Sequence, residues 1–391
     1  MPSGDGRGLL APVPNIAVMP RYLVINGPHL DRLGKRAPEI YGSTTLAELE
    51  RDLSHFAAPL SIEVAMFQSN HEGEVIEAVT GAEGTVDGIV LNPGALTHYS
   101  LALGDAVAAI SIPVVEVHIS NILEREPWRR RSVIGGVQRI YGRGIHGYRW
   151  ALRHLSNREA VPSERLAYGP LPDQVGDLRM VGGASVLVVI VHGGLWRHEW
   201  TADTTESLAV DLWRRGVATF NVEYRRLGLG GGWPESFSDL TSALGKIAHL
   251  TGFSPDQVVL LGHSAGATMA LWAEHEGLTV ALAPFCDLVS ARTEGLAGDT
   301  FSRLLLDPLP DPSVYSPAHR LPRVGRAVLI ASPFDRLVPI DQIRIYAERA
   351  QRQQTAIELL ESDGGHLDLL EPSSTSWGLV IDVLGARKAT V

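Results

Sequence analysis

The amino-acid sequence predicts an α/β protein of two units, each built on a largely parallel sheet wound with helices. Three observations carry this. The chain has 391 residues, more than one ordinary domain uses, and 45% of them are hydrophobic, enough for two cores. Short β-branched apolar runs alternate with Leu/Ala/Glu-rich helical patterns in both halves. Polar residues collect just after the apolar runs, at the strand ends where open parallel sheets bind ligands.

Composition narrows the function. The net charge is −10 and no basic block occurs, which argues against nucleic acid and anionic membrane as partners. Cys286 is the single cysteine, so an intrachain disulfide and a thiolate metal cluster are excluded, and the expected location is the cytoplasm. No apolar run approaches the roughly 18 residues of a membrane span. Residues 1–20 are read as a disordered leader without the apolar core of a secretion signal, and Met19 is an alternative start. The lysines are Lys35, Lys246 and Lys388, none in an apolar strand, which argues against Schiff-base chemistry.

In the first half, strands are expected at Tyr22–Ile25, Ile62–Phe67, Gly88–Leu91, Val114–Val117 and Val137–Tyr141, with helices such as Leu46–Phe56 and Leu101–Ile110 between them. That alternation implies a flavodoxin-like, doubly wound parallel sheet. After the first strand come Asn26-Gly-Pro-His29 and a loop from Gly34 to Gly42 that contains Arg36 and Tyr41. After the second comes Gln68-Ser-Asn-His71-Glu72-Gly73, and after the third Asn92-Pro-Gly-Ala-Leu-Thr-His98. The fourth delivers Glu116, His118 and Ser120, followed by Arg125 and Arg129, a set suited to a small anion and proton transfer.

The runs INGPHLDRLGKRAPEIYG, FQSNHEGE, LNPGALTHYS, PVVEVHISNILERE and GRGIHGYRWALRHL, in this order, resemble the type II 3-dehydroquinate dehydratases over residues 21–155. The resemblance implies dehydration of 3-dehydroquinate to 3-dehydroshikimate, a shikimate/quinate-pathway step, through an enolate and without metal or cofactor. Such an anti elimination needs a base for the α-proton, a cradle for the enolate and an acid for the leaving hydroxyl. By resemblance Tyr41 is the base, with Arg36 favouring its phenolate, and His118 is the general acid, with Glu116 available to orient it. Asn92, His98, Ile119, Ser120 and Arg129 map onto substrate contacts and Arg125 onto loop closure. Asp105 maps onto a residue that reaches a neighbouring subunit, because the family assembles from trimers, often as dodecamers. Two positions depart from the family: His29 stands where asparagine is usual, and Gly104 where a basic residue is common. Gly142-Arg-Gly-Ile-His-Gly147 matches a dinucleotide-binding pattern, but no βαβ unit surrounds it, so it reads as a tight strand-to-helix turn.

Residues 156–183, with Pro162, Pro170 and Pro172, are read as a linker. From Ala184 a second α/β pattern follows, with strands expected at Val186–Val191, Ala218–Val222, Val258–Leu261, Thr279–Ala283, Ala327–Ala331 and Ala356–Leu360. Gly262-His-Ser264-Ala-Gly266 joins a strand to an Ala-rich helix, the context in which a G-x-S-x-G pattern raises a nucleophilic serine on a strained turn. His192-Gly-Gly-Leu-Trp196 resembles the oxyanion motif of esterases, giving Gly194 and Leu195, with Ala265, as backbone donors. Asp335 and His366 follow later strands in the chain order Ser, Asp, His. This half (184–391) therefore resembles an α/β-hydrolase, similar to small esterases and kynurenine formamidase-like enzymes, with Ser264 as nucleophile, His366 as base and Asp335 fixing its tautomer. The substrate it implies is a small carboxylic ester or amide. His192 and His263 are read as shaping the motifs; Asp287, Asp363 and Asp368 are rivals for the acid; Cys286 is read as a buried small residue. Trp196, Trp200, Trp233 and Phe285 are either pocket lining or core, and 286–321 is expected to form a small cap. A hydrolase whose N-terminal half serves as an oligomeric or ligand-binding scaffold is the alternative to a bifunctional enzyme.

Overall fold

In the first sheet the strands run β1 (Arg21–Asn26), β2 (Glu63–Gln68), β3 (Gly88–Asn92), β4 (Val114–His118) and β5 (Gln138–Tyr141) along the chain, and lie in the order β2-β1-β3-β4-β5. The computed structural model describes residues 19–36, 41–158, 161, 163–228, 230–296 and 311–385. The expected leader, apart from residues 19–20, and residues 297–310 of the expected cap lie outside the described residues. Strand β1 pairs in parallel with both β2 and β3, and β3 with β4, so successive strands need helical crossovers. These are α1 (Leu46–Ala57), α2 (Glu72–Gly81) and α3 (Leu101–Ala109). Helix α1 starts on a capping box in which Thr45 accepts from Glu48 N and the Glu48 carboxylate accepts from Thr45 N. Strands β3 and β4 are buried along their whole length, as a sheet covered on both faces requires. Ile25, Val75, Val79, Ile89, Leu91 and Leu103 form the centre of this core.

The chain divides into two compact units. One comprises the described residues up to Val117 together with Ile122–Arg139; the other comprises His118–Asn121 and the described residues from Ile140 onward. The second unit holds α4 (His146–Arg158) and an eight-stranded sheet in the order β13-β12-β11-β10-β8-β9-β7-β6. Its parallel strands are β8 (Leu187–Val191), β9 (Ala218–Val222), β10 (Val258–His263), β11 (Thr279–Leu282), β12 (Ala327–Ala331) and, at one edge, β13 (Ile357–Glu361), close to the expected positions. The helices α5 (Glu206–Arg214), α6 (Glu235–Thr251), α7 (Ala265–Trp272), α8 (Leu288–Thr293), α9 (Ile340–Arg352) and α10 (Thr375–Leu384) accompany it.

The segment expected as a linker is partly ordered. Within it, β6 (Glu164–Ala167) and β7 (Val175–Arg179) form an antiparallel pair, and β7 continues antiparallel onto β9. These strands are short and charged because they lie towards the sheet edge, so the apolar alternation that marks a half-buried strand is weak. Gly176 matters here: a Cβ at this position would stand 2.4 Å from the Phe220 ring of the neighbouring strand.

Candidate active sites

The loops after β1 and β3 interlock. Gly27 N donates to Asn92 O at 2.8 Å, and Asn92 Oδ1 accepts from Gly94 N at 3.2 Å, which sets the buried Asn92 side chain at the strand end. His29 is exposed and adopts a left-handed backbone (φ 69°), its N–H donating to Asn70 Oδ1 at 2.8 Å. Asparagine and histidine are among the residues that tolerate this conformation, so the replacement at 29 keeps the turn. Arg125 Nη1 donates to Tyr41 Oη at 3.1 Å, and the Arg36 guanidinium carbon lies 5.6 Å from the Tyr41 ring centroid. Arg125, expected in loop closure, is thus the guanidinium that hydrogen-bonds the phenol, while Arg36 stands near its ring. Glu126 lies between Arg125 Nε (3.5 Å) and Arg129 Nε (3.3 Å), and Arg129 stacks 4.2 Å from the Trp128 centroid. His98 Nδ1 pairs with Arg131 O at 2.8 Å, and its ring meets Trp128 edge-on at 5.7 Å. Asp105 is exposed on α3.

His118 ends β4 and is buried, as are Ile119 and the fully enclosed Glu116. Glu116 binds Thr97 Oγ1 (2.5 Å), Ser132 Oγ (3.1 Å) and Arg139 Nε (2.6 Å). A carboxylate taken wholly from water requires such partners. Sequence reasoning missed Arg139 and Ser132, although an acid inside an apolar strand signals that a cation must face it.

In the second unit Ser264 sits between β10 and α7 with φ 52° and ψ −118°, a strained conformation for a residue with a Cβ. Its Oγ is buried and hydrogen-bonds to none of the described residues. Gly266 makes the turn feasible, because a Cβ there would lie 2.2 Å from Val191 O. On the facing loop Gly194, Leu195 and Trp196 take positive φ in succession (103°, 53° and 57°), and a Cβ on Gly193 would come within 3.0 Å of Ser264 Cβ. The loop after β8 is therefore strained against the serine turn. His366 Nδ1 and Asp335 Oδ2 are 2.6 Å apart, and Asp335 Oδ1 accepts from Leu337 N (2.8 Å) and Val338 N (3.0 Å). Burial would raise the Asp335 carboxyl, but the His366 hydrogen bond and charge, with those backbone donors, hold it below the usual range.

The neighbouring histidines are structural. His263 Nε2 pairs with His366 O at 3.0 Å, and burial, helped by His366, pushes its pKa down to about 3. His192 stacks on Tyr224 at 4.2 Å and pairs with Glu223 Oε1 at 3.0 Å. Asp287 caps α8 through Val289 N and Ser290 N, Asp363 accepts from Thr375, and Asp368 accepts from Gly365 N, so each rival acid is engaged elsewhere. Cys286 is fully buried and its thiol is pushed up by burial. Trp196, Trp233 and Phe285 belong to the core, with Trp196 edge-on to Trp233 at 5.5 Å, and Trp200 packs against Trp150 at 5.2 Å.

Residues 20–156 match the family model for class II dehydroquinase, and residues 180–283 match one described as BD-FAE. The chain is 55% identical over 139 residues to a 3-dehydroquinate dehydratase of Bacillus pumilus, covering 95% of that protein and 35% of this one. It is 52% identical over 147 residues to the Bacillus subtilis protein of the same name, covering 99% of it and 37% of this chain. The chain belongs to the type II dehydroquinases. The match to this family ends within α4, so the rest of the chain is an addition to the dehydroquinase. That addition has the fold of esterases: a truncated carbohydrate esterase from gut microbiota superposes with a TM-score of 0.50 at 14% identity, over 59% of this chain and 97% of that one. Among the described residues no group of histidine, cysteine and acidic side chains could hold a metal ion, and no helix is long and apolar enough to cross a membrane.

Proposed function

We propose that this dehydroquinase is bifunctional, dehydrating 3-dehydroquinate to 3-dehydroshikimate and hydrolysing a small carboxylic ester or amide. The dehydratase domain is taken as residues 21–155 and the hydrolase as the chain from β6 onward. The observation that carries the first activity is the Arg125–Tyr41 hydrogen bond at 3.1 Å with Arg36 near the same ring. Tyr41, hydrogen-bonded by Arg125 and with Arg36 near its ring, acts as the base that removes the α-proton of the β-hydroxy ketone. The resulting enolate expels the hydroxyl, which takes a proton from His118 and departs as water, leaving the conjugated enone. Asn92, His98, Ile119, Ser120 and Arg129 hold the hydroxyls and carboxylate. Exposed Tyr99, Leu101 and Trp128 offer apolar area for self-association, and we take the assembly to be trimer-based, with Asp105 reaching a neighbouring site.

In the hydrolase, Ser264 Oγ attacks the carbonyl carbon as His366 takes its proton, and Asp335 stabilises the imidazolium. Backbone N–H groups of Gly194, Leu195 and Ala265 receive the oxyanion. Collapse expels the alcohol or amine with the proton from His366, and water repeats the cycle on the acyl-enzyme. The strained Ser264 turn and the His366–Asp335 pair, linked by the contact of His263 Nε2 with His366 O at 3.0 Å, support this reading. Fusion to a dehydroquinase favours esters of quinate- or shikimate-type acids as substrates. The test compares shikimate and quinate esters with p-nitrophenyl esters on the full chain. Preference for the former supports the link, and preference for the generic esters refutes it.

A further inference from the structure

We propose that His198, in the segment matching the esterase family, is a positioning residue for the dehydratase, holding through Asn121 the turn that carries His118, Ile119 and Ser120. The inference rests on the dehydratase reading above. The turn is fixed along its backbone by the glycine-rich Gly142–Gly144 segment. Gly142 N donates to His118 O and to Ser120 O, both at 3.2 Å, and Gly144 N donates to Ile119 O at 3.1 Å. Gly142 must be glycine: its φ is 74°, and a Cβ would lie 3.1 Å from Asn121 Cβ and 3.0 Å from Glu199 Cγ. The pattern that mimicked a dinucleotide motif is thus a clamp on the substrate turn.

The side chain of the turn's last residue is held by His198. Asn121 Nδ2 and His198 Nε2 are 3.3 Å apart, and His198 Nδ1 is 3.2 Å from Leu227 O. A carbonyl at Nδ1 requires the proton there, so Nε2 is left as the acceptor for the Asn121 amide. The platform under His198 is rigid. Arg226 Nη1 donates to His198 O (3.2 Å) and Trp200 O (3.0 Å), and Arg143 Nε donates to Glu199 O (2.9 Å). Arg226 is anchored by Glu223 and Asp173, each 3.3 Å away, and Arg143 by a two-pronged pair with Asp203 at 2.7 and 3.0 Å. Three successive carbonyls are therefore pinned by two buried guanidinium groups. A neutral hydrogen bond of this kind, lost from a turn that must present an acid and a substrate ligand together, costs roughly three- to tenfold in turnover efficiency.

The test uses the full chain with His198→Ala, His198→Gln, Asn121→Ala and the His198→Ala/Asn121→Ala pair. Steady-state dehydration of 3-dehydroquinate is measured alongside hydrogen exchange of the peptide covering residues 118–121. We expect His198→Ala to lower kcat/KM roughly three- to tenfold and to speed exchange in that peptide. His198→Gln, whose side-chain carbonyl can accept the Asn121 amide, restores both, and the double variant is no worse than Asn121→Ala alone. Unchanged rate and exchange in His198→Ala overturn the inference. So does a loss that tracks a fall in Tm and that glutamine does not restore. Absence of turnover in the wild type would refute the dehydratase reading instead, and the exchange measurement would still decide whether His198 holds the turn.

Discussion

Arg125 and Arg36 approach Tyr41 differently, and the difference sets what each variant should do. Arg125 donates directly to the phenol oxygen, a charge-assisted hydrogen bond worth about 1.5–3 kcal/mol that holds the proposed base in place. Arg125→Leu should therefore lower dehydration kcat by roughly tenfold to a hundredfold, whereas Arg36→Leu, which loses a contact with the ring, should cost less. Steady-state rates of the two variants check the order, and a larger loss in Arg36→Leu would contradict it. In the hydrolase, His263 offers a pH test. Its folded-state pKa of about 3 lies below the ordinary value, so the unfolded chain takes up a proton below about pH 6.5 that the folded chain refuses. The associated stability is complete above that pH and falls as the pH drops towards 3, by up to about 1.4 kcal/mol per pH unit. Asp335 and Glu223, held low, add their losses only below about pH 4. Urea midpoints between pH 6 and 4 should decline in the wild type and decline less in His263→Gln; equal slopes would rule the histidine out.

At the level of elements, the inner parallel strands of both sheets are legible in the sequence because burial on both faces makes them near-continuous apolar runs. Leu187–Val191 is the clearest case: every residue of the strand is buried, so every position is apolar. Strands β6 and β7 are not legible, since a short antiparallel edge carries charges on the exposed positions and lies among prolines that suggest a linker. The serine turn is legible from Gly262 and Gly266, because close backbone approach admits only glycine there. Gly266→Ala would place a methyl 2.2 Å from Val191 O and 2.4 Å from His192 O. Ester hydrolysis should vanish, and stability should drop by about 1–3 kcal/mol through overpacking. Chemical denaturation together with a p-nitrophenyl ester assay checks both; an active, equally stable variant would mean the turn can relax. The Arg125–Tyr41 bond and the Arg139–Glu116 pair escape the sequence because they join residues far apart in the chain, and no local spacing encodes them.

For the whole molecule, a dehydroquinase and an esterase-type fold on one chain raise the question of whether both chemistries run. The dehydroquinase loops and the Ser264 turn involve different residues, so Ser264→Ala should remove ester hydrolysis by about a thousandfold or more while leaving dehydration intact. Light scattering should give a mass that is a multiple of three chains, and a monomer at micromolar concentration would remove the trimer-based assembly from the proposal. The measurement that tests the central claim most directly is the continuous absorbance assay for the conjugated enone formed from 3-dehydroquinate, run on wild type, Tyr41→Phe and Ser264→Ala. Turnover is predicted in wild type and Ser264→Ala, with a loss of about a hundredfold or more in Tyr41→Phe. No enone from the wild type, or undiminished turnover in Tyr41→Phe, would contradict it.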